Sequence, residues 1–207
     1  MYFLYTLLQF FFAIPLLLLS PKKRIGSFAK RMGFFDRPNL QKPIWIHAVS
    51  VGEVLTMKYL MAHLKRDLPG QALVLSTITQ TGQQVAKGGK MDALIYFPFD
   101  FNCSVRRALT LVDPKLVIIA ETEIWPNVIQ EAKRLRIPVG VINGRLSERS
   151  FRSFKRFSMF FKSLFMSVDF FLVQTEEDRK RLLELGVSPE KVQVMGNMKL
   201  DAFDLNG

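Results

Sequence analysis

From Pro43 onward the chain alternates short, almost purely apolar runs with longer stretches whose apolar residues recur every three or four positions. An apolar run of four or five residues has no polar face, so both of its sides must be covered, as in a parallel strand packed between helices. The runs at 44–48, 72–76, 93–97, 116–120, 139–142, 170–173 and 192–194 are therefore expected as strands. Helical periodicity falls between them, near 54–67, 82–87, 104–112, 127–135, 150–167 and 176–185. Strand and helix in strict alternation predict an α/β domain, a Rossmann-like parallel sheet with helices on both faces.

Composition agrees and closes off other classes. With 207 residues, 49% hydrophobic and only 23% charged, the chain has the apolar surface to build a core and is neither disordered nor collagen-like. Its single cysteine, Cys103, excludes an intrachain disulfide and a cysteine zinc cluster, and no metal site or cofactor is expected. There are 29 basic and 18 acidic residues, a net charge of +11 that points to an anionic partner. The excess sits in two blocks, 22–37 and 145–162, both beside apolar segments. Neither an RNA-binding aromatic signature nor a zinc finger accompanies them, so lipid or phosphorylated sugar is expected and nucleic acid is not.

Residues 1–19, MYFLYTLLQFFFAIPLLLL, carry no charge. As a helix they would extend about 28 Å at ~1.5 Å per residue, close to the thickness of a bilayer's hydrocarbon. No basic residue precedes the run and no small-x-small cleavage site follows it, so an uncleaved transmembrane anchor is expected over 1–20 rather than a signal peptide. Lys22, Lys23, Arg24, Lys30 and Arg31 follow, and the positive-inside rule then places the remainder in the cytoplasm. The domain plan is an anchor at 1–20, a basic juxtamembrane segment at 21–42, the α/β domain at 43–200 and the start of a linker at 201–207.

Ligands of open parallel sheets bind beyond the carboxyl ends of the strands. Polar and turn residues gather at those ends here: HAVSVGE after the first strand, STITQTG after the second, PFD after the third, ETEIWPN after the fourth and NGRLS after the fifth. Glu53 follows Gly52 at a strand-to-helix turn, where it can face a crevice or simply complement the helix dipole. Glu121 and Glu123 are two residues apart and share a face if the strand continues through them; Glu123 can alternatively cap the helix opened by Pro126. Ser76, Thr77, Thr79 and Thr81 offer hydroxyls to a sugar or phosphate, and equally to turn and capping chemistry. Arg145 and Arg149 have the forked geometry that binds phosphate. The segment 150–168 reads as one amphipathic helix, with Phe151, Phe154, Phe157 and Phe161 on its apolar stripe, suited either to the core or to a membrane surface.

Taken in order, IWIHAVSVGEV, STITQTG, YFPFD, ETEIWPN, INGRLSERS and GNMKLD resemble the 3-deoxy-D-manno-octulosonic acid (Kdo) transferases of lipopolysaccharide synthesis. The resemblance implies the amino-terminal half of a GT-B fold: an acceptor-binding domain for a lipid A precursor (lipid IVA), with CMP-Kdo bound by a second domain that this sequence lacks. It implies a general base at Glu53, an assisting acid at Glu121 and a cation at Lys199 that offsets charge on the leaving phosphate. A helix start weakens Glu53 as a base, whereas desolvation by bound lipid strengthens it. Ser50, Gly52, Ser76, Thr77, Thr79, Arg145 and Arg149 are placed with the acceptor, and anionic lipids of the bacterial inner membrane are further expected partners. A different GT-B lipid glycosyltransferase and a non-catalytic lipid-binding module are the competing readings.

Overall fold

A computed structural model describes residues 25–198. The expected anchor at 1–20, Lys199 and the stretch 201–207 lie outside the described residues.

The chain enters through a short helix, α1 (Ile25–Arg31), and then runs β1 (Ile44–His47), α2 (Val51–Asp67), β2 (Leu73–Thr77), α3 (Gln80–Ala86), β3 (Ala93–Tyr96), α4 (Asn102–Val112) and β4 (Leu116–Ala120). It continues with α5 (Pro126–Arg134), β5 (Val139–Gly144), α6 (Glu148–Arg156), α7 (Ser158–Ser167), β6 (Phe170–Val173), α8 (Glu176–Glu184) and β7 (Val192–Val194). All strand pairs are parallel, and the seven strands lie in the order β3-β2-β1-β4-β5-β6-β7. The chain thus winds from β1 toward one edge, returns to lay β4 on the other side of β1, and winds outward again. The turns leaving β1 and β4 diverge at that reversal and open a crevice between them.

Side chains alternate across the sheet, as a pleated strand requires. Ile44 and Ile46 face one layer, with Val54, Met57 and Met61 of α2; Trp45 faces the other, with Val105 and Leu109 of α4 and Ile129 of α5. Gly140 on β5 lets Phe170 of β6 lie against its backbone, since a Cβ there would meet the Phe170 ring at 2.0–2.5 Å.

Two features differ from the expected plan. The stretch expected as a juxtamembrane segment carries α1 against the domain: the Arg31 side chain donates to the Phe97 carbonyl (3.1 Å) and Phe99 N–H to the Arg31 carbonyl (2.8 Å). The single helix expected over 150–167 is two helices, α6 and α7, meeting at Phe157. Phe154 and Phe161 are seven residues apart, about 10 Å of rise in a continuous helix, yet their rings touch edge-to-face at 4.7 Å. The break permits that contact and turns Phe157 out to 57% exposure.

Candidate active site at the β1–β4 crevice

Glu53 occupies the third position of α2. Ser50 is the N-cap, its Oγ accepting from Glu53 N–H at 3.2 Å. The Glu53 carboxylate returns the contact, accepting from Ser50 N–H (3.2 Å) and from Val49 N–H (2.8 Å). The dipole-complementing role is therefore real, and it also fixes the side chain, which is only 6% exposed. Each carboxylate oxygen accepts one backbone N–H and keeps a further lone pair. Gly52 is exposed, and a Cβ added to it would meet only Ser50 Oγ, at 3.9 Å. Its bare Cα is therefore not needed to relieve a clash.

Across the crevice, β4 ends at Ala120 and Glu121 takes φ +57°, with its N–H donating to the Ile142 carbonyl at 2.8 Å. The strand does not continue, so the shared-face geometry expected for Glu121 and Glu123 does not arise; the pair sits on a turn. Glu123 is half-buried, and its carboxyl is held above the usual range first by burial and then by the charges of Glu53 and Glu121. Three carboxyl groups from two turns thus share one electrostatic neighbourhood. Among the described residues, no group of three His, Cys, Asp or Glu side chains could hold a metal ion.

Glu123 does not cap the helix opened by Pro126. That cap comes from Asp100 of the PFD turn, whose carboxylate accepts from Asn127 N–H (3.2 Å) and Val128 N–H (3.0 Å). Asn127 Nδ2 in turn donates to the Asp100 carbonyl. PFD lies on the rim, and in the sequence nothing near Asp100 gives it a task. The signal was an acidic residue one strand away from a helix whose own N-cap, Trp125, has no side-chain acceptor.

The hydroxyls after β2 divide. Ser76 is fully buried, and its Oγ accepts from Trp45 Nε1–H at 2.7 Å and lies 3.1 Å from His47 Nδ1. Thr77 is buried as well, its Oγ1 accepting from Gln83 Nε2–H at 3.0 Å. Both hydroxyls are thus engaged within the fold rather than presented at the rim: the strand extends one residue further than the apolar run. Thr79 is exposed and caps α3 by accepting from Gly82 N–H at 3.0 Å.

On the β5 side, Arg145 and Arg149 are exposed and form no ion pair among the described residues, whereas neighbouring Arg152 and Arg181 both engage Glu148. Asn143, at φ +53°, accepts from Met198 N–H through Oδ1 at 3.1 Å. This bond brings Met198 to the same rim. Asn143 was missed in the sequence because its partner lies 55 residues away.

Solved structures resembling this architecture include a putative UDP-N-acetylglucosamine 2-epimerase from Listeria monocytogenes, with TM-score 0.61 and 14% identity over 80% of this chain and 47% of that one. The UDP-GlcNAc 2-epimerase of Neisseria meningitidis gives 0.59 and 17% over 79% and 49%. At such identity the likeness concerns the fold alone. In sequence, a 3-deoxy-D-manno-octulosonic acid transferase of Haemophilus influenzae is 34% identical over 191 residues, which are 90% of this chain and 44% of that protein. A bifunctional glycosyltransferase/methyltransferase of Fusobacterium nucleatum is 33% identical over 95% of this chain and 31% of its own length. A 3-deoxy-D-manno-octulosonic acid transferase of Chlamydophila psittaci is 32% identical over 84% and 42%. The chain spans less than half the length of each of these relatives. Residues 26–202 match the family model of the 3-deoxy-D-manno-octulosonic-acid transferases (kdotransferases), and the chain belongs to that family.

Proposed function

We propose that this chain is the amino-terminal, acceptor-binding half of a GT-B enzyme that transfers Kdo from CMP-Kdo to a lipid A precursor, lipid IVA. The observation that carries the reading is that the Glu123 carboxyl is raised by burial and by the charges of Glu53 and Glu121, from the turns after β1 and β4. The exposed guanidinium groups of Arg145 and Arg149 lie on the adjoining rim.

In the proposed reaction an acceptor hydroxyl oxygen bonds to the anomeric carbon of Kdo. The bond from that carbon to the CMP phosphate breaks, its electron pair leaves with CMP, and the hydroxyl proton passes to Glu53. The backbone N–H bonds hold the Glu53 carboxylate in place with lone pairs free for that proton. Glu121 and Glu123 supply the assisting acid of the motif. Burial and the neighbouring Glu53 and Glu121 charges hold the Glu123 carboxyl above its ordinary range, the direction an assisting acid needs, while Glu121 sets the turn. Lys199 is assigned the charge on the leaving phosphate, a role supported by the bond that seats its neighbour Met198. Arg145 and Arg149 are assigned the phosphates of the acceptor, and Ser50, Gly52 and Thr79 line its approach. The donor site is assigned to a second domain, in line with the greater length of the relatives.

The apolar run before Pro21 anchors the protein in the bacterial inner membrane in this reading, with the crevice on the cytoplasmic side. Contact with anionic lipid is supported by Phe157 and Met159, 57% and 85% exposed, beside the exposed cations Arg156 and Lys162.

The test joins this chain to the carboxyl-terminal half of one of its relatives and measures transfer from CMP-Kdo to lipid IVA. Transfer is expected from the joined protein and not from the chain alone. Glu53→Gln should reduce the rate by roughly 10²–10⁴-fold, the usual range for a general base, with acceptor affinity retained. Undiminished transfer by Glu53→Gln rejects the base role, and robust transfer by the isolated chain rejects the half-enzyme reading.

A further inference from the structure

His47 closes β1, three residues before the N-cap of α2, and is wholly buried. Its ring stacks on Phe97, with centroids 3.4 Å apart and planes 10° from parallel, and meets Trp125 edge-on at 5.8 Å. Phe97 also touches Trp125, at 5.1 Å. These rings join the turn that carries Glu53 to the turn that carries Glu121 and Glu123, since Trp125 ends the latter.

The hydrogen bonds define which ring nitrogen of His47 carries the proton. Nδ1 lies 3.2 Å from the Ser76 carbonyl oxygen and 3.1 Å from Ser76 Oγ. A carbonyl oxygen only accepts, so this contact requires Nδ1–H. Ser76 Oγ already accepts from Trp45 Nε1–H and directs its own proton to the Ile46 carbonyl at 3.4 Å. The ring stays neutral: burial pushes its pKa down to about 3, the Ser76 carbonyl opposes that shift, and the Arg31 guanidinium adds to it. Nε2 is then an acceptor.

Nε2 of His47 has no hydrogen-bond partner among the described residues, and neither has Nε1 of Trp125, although both atoms are buried. One is an acceptor, the other a donor, and their rings are in contact. A buried group left unsatisfied costs roughly 1–3 kcal/mol, and internal waters characteristically occupy such places. Two hydrogen bonds of ~2.9 Å meeting at a water's angle span about 4.6 Å between the nitrogens, a separation compatible with rings in edge contact.

We propose that His47 Nε2 and Trp125 Nε1 together hold one internal water, and that through it His47 acts as a positioning residue, fixing the Glu121–Glu123 turn against the Glu53 turn. Trp125 donates to the water oxygen, and the water donates to His47 Nε2. The positioning role rests on the reading of this crevice as the reacting site; the water and the tautomer do not.

The experiment uses the ¹⁵N-labelled 207-residue chain in solution. Imidazole ¹⁵N shifts should show His47 neutral with the proton on Nδ1 from pH 5 to 8. The Trp125 indole proton should exchange slowly and cross-relax with a long-lived water. Trp125→Phe removes the Nε1–H donor, together with part of the ring, and should move the Nε2 resonance toward that of an unbonded lone pair. In this variant and in His47→Phe, the Glu123 carboxyl should titrate closer to its ordinary range as its turn draws away from Glu53. Should His47→Phe not fold, Trp125→Phe alone carries the test. A proton on Nε2, or an indole proton without water contact, overturns the site. An unchanged Glu123 titration in the folded variants overturns the positioning role. None of these readouts involves sugar transfer, so a failure of the transferase reading would leave them standing and would be recognised separately.

Discussion

Glu53 has a structural task at the start of α2 that is separate from the base role proposed for it. Its two oxygens accept from Val49 and Ser50 N–H, and a glutamine in its place offers one good acceptor and turns an amide donor toward the other N–H. Glu53→Gln should therefore lower the chain's stability by about 1 kcal/mol, read from urea melts, independently of any loss in transfer. The buried His47 makes a second prediction, about pH. Its pKa falls from 6.5 in the unfolded chain to about 3 in the fold, so below pH 6.5 the unfolded state binds the extra proton. The native state should then lose stability as pH falls from about 6 toward 3, at up to about 1.4 kcal/mol per pH unit from this residue. Glu123 acts in the opposite sense: its raised pKa favours the fold at low pH and withdraws that contribution as pH rises through the folded value. Urea melts across pH 4–7 should show a shallower slope in a folded His47→Phe variant, and an unchanged slope would contradict the buried-neutral assignment.

Among the elements, α5 depends most visibly on a residue outside itself. Its N-cap position is filled by Trp125 without a side-chain acceptor, and Asp100 takes over that task from the turn after β3. Asp100→Ala should cost roughly 1–2 kcal/mol, the range for a lost cap, and should raise amide exchange first at Asn127 and Val128. Protection there equal to the parent's would remove Asp100 from the cap. This same dependence explains what the sequence did and did not disclose. Strands β4, β6 and β7 fall at the expected residues because burial on both faces leaves an apolar run with sharp ends. Helix α1 was not anticipated: seven residues give too little periodicity, and its anchoring contacts are to Phe97 and Phe99. The division at Phe157 was hidden because the aromatic spacing passes through it unbroken, and only the ring contact between Phe154 and Phe161 demands a change of direction. At the site, the position of Glu53 at a helix start was legible from the Gly-Glu turn after a strand, whereas its expected role as a base came only from the family resemblance. The inward roles of Ser76 and Thr77 were not legible, since their partners are Trp45, His47 and Gln83.

For the molecule as a whole, charge and topology act together. The reversal between β1 and β4 brings carboxylates to the crevice, while exposed cations lie beyond it, on the turn after β5 and along α6 and α7. In the proposed reading such a division suits an acidic, phosphorylated lipid, with its phosphates assigned to the guanidinium groups and its reacting hydroxyl to Glu53. The amino-terminal run and the cations after it predict that vesicles of one orientation protect the domain from protease, with the region beyond Lys42 shielded on the periplasmic side; cleavage there from the periplasmic face would reverse the proposed topology. The most direct test of the acceptor assignment is binding of lipid IVA, with and without its phosphates, to the chain and to its Arg145→Ala/Arg149→Ala variant at matched ionic strength. Binding should weaken on losing either the phosphates or the two arginines, and removing both should weaken it little further, because each change deletes the same charge-assisted contacts. Equal affinity of the folded double variant and the parent for the phosphorylated lipid would contradict the account.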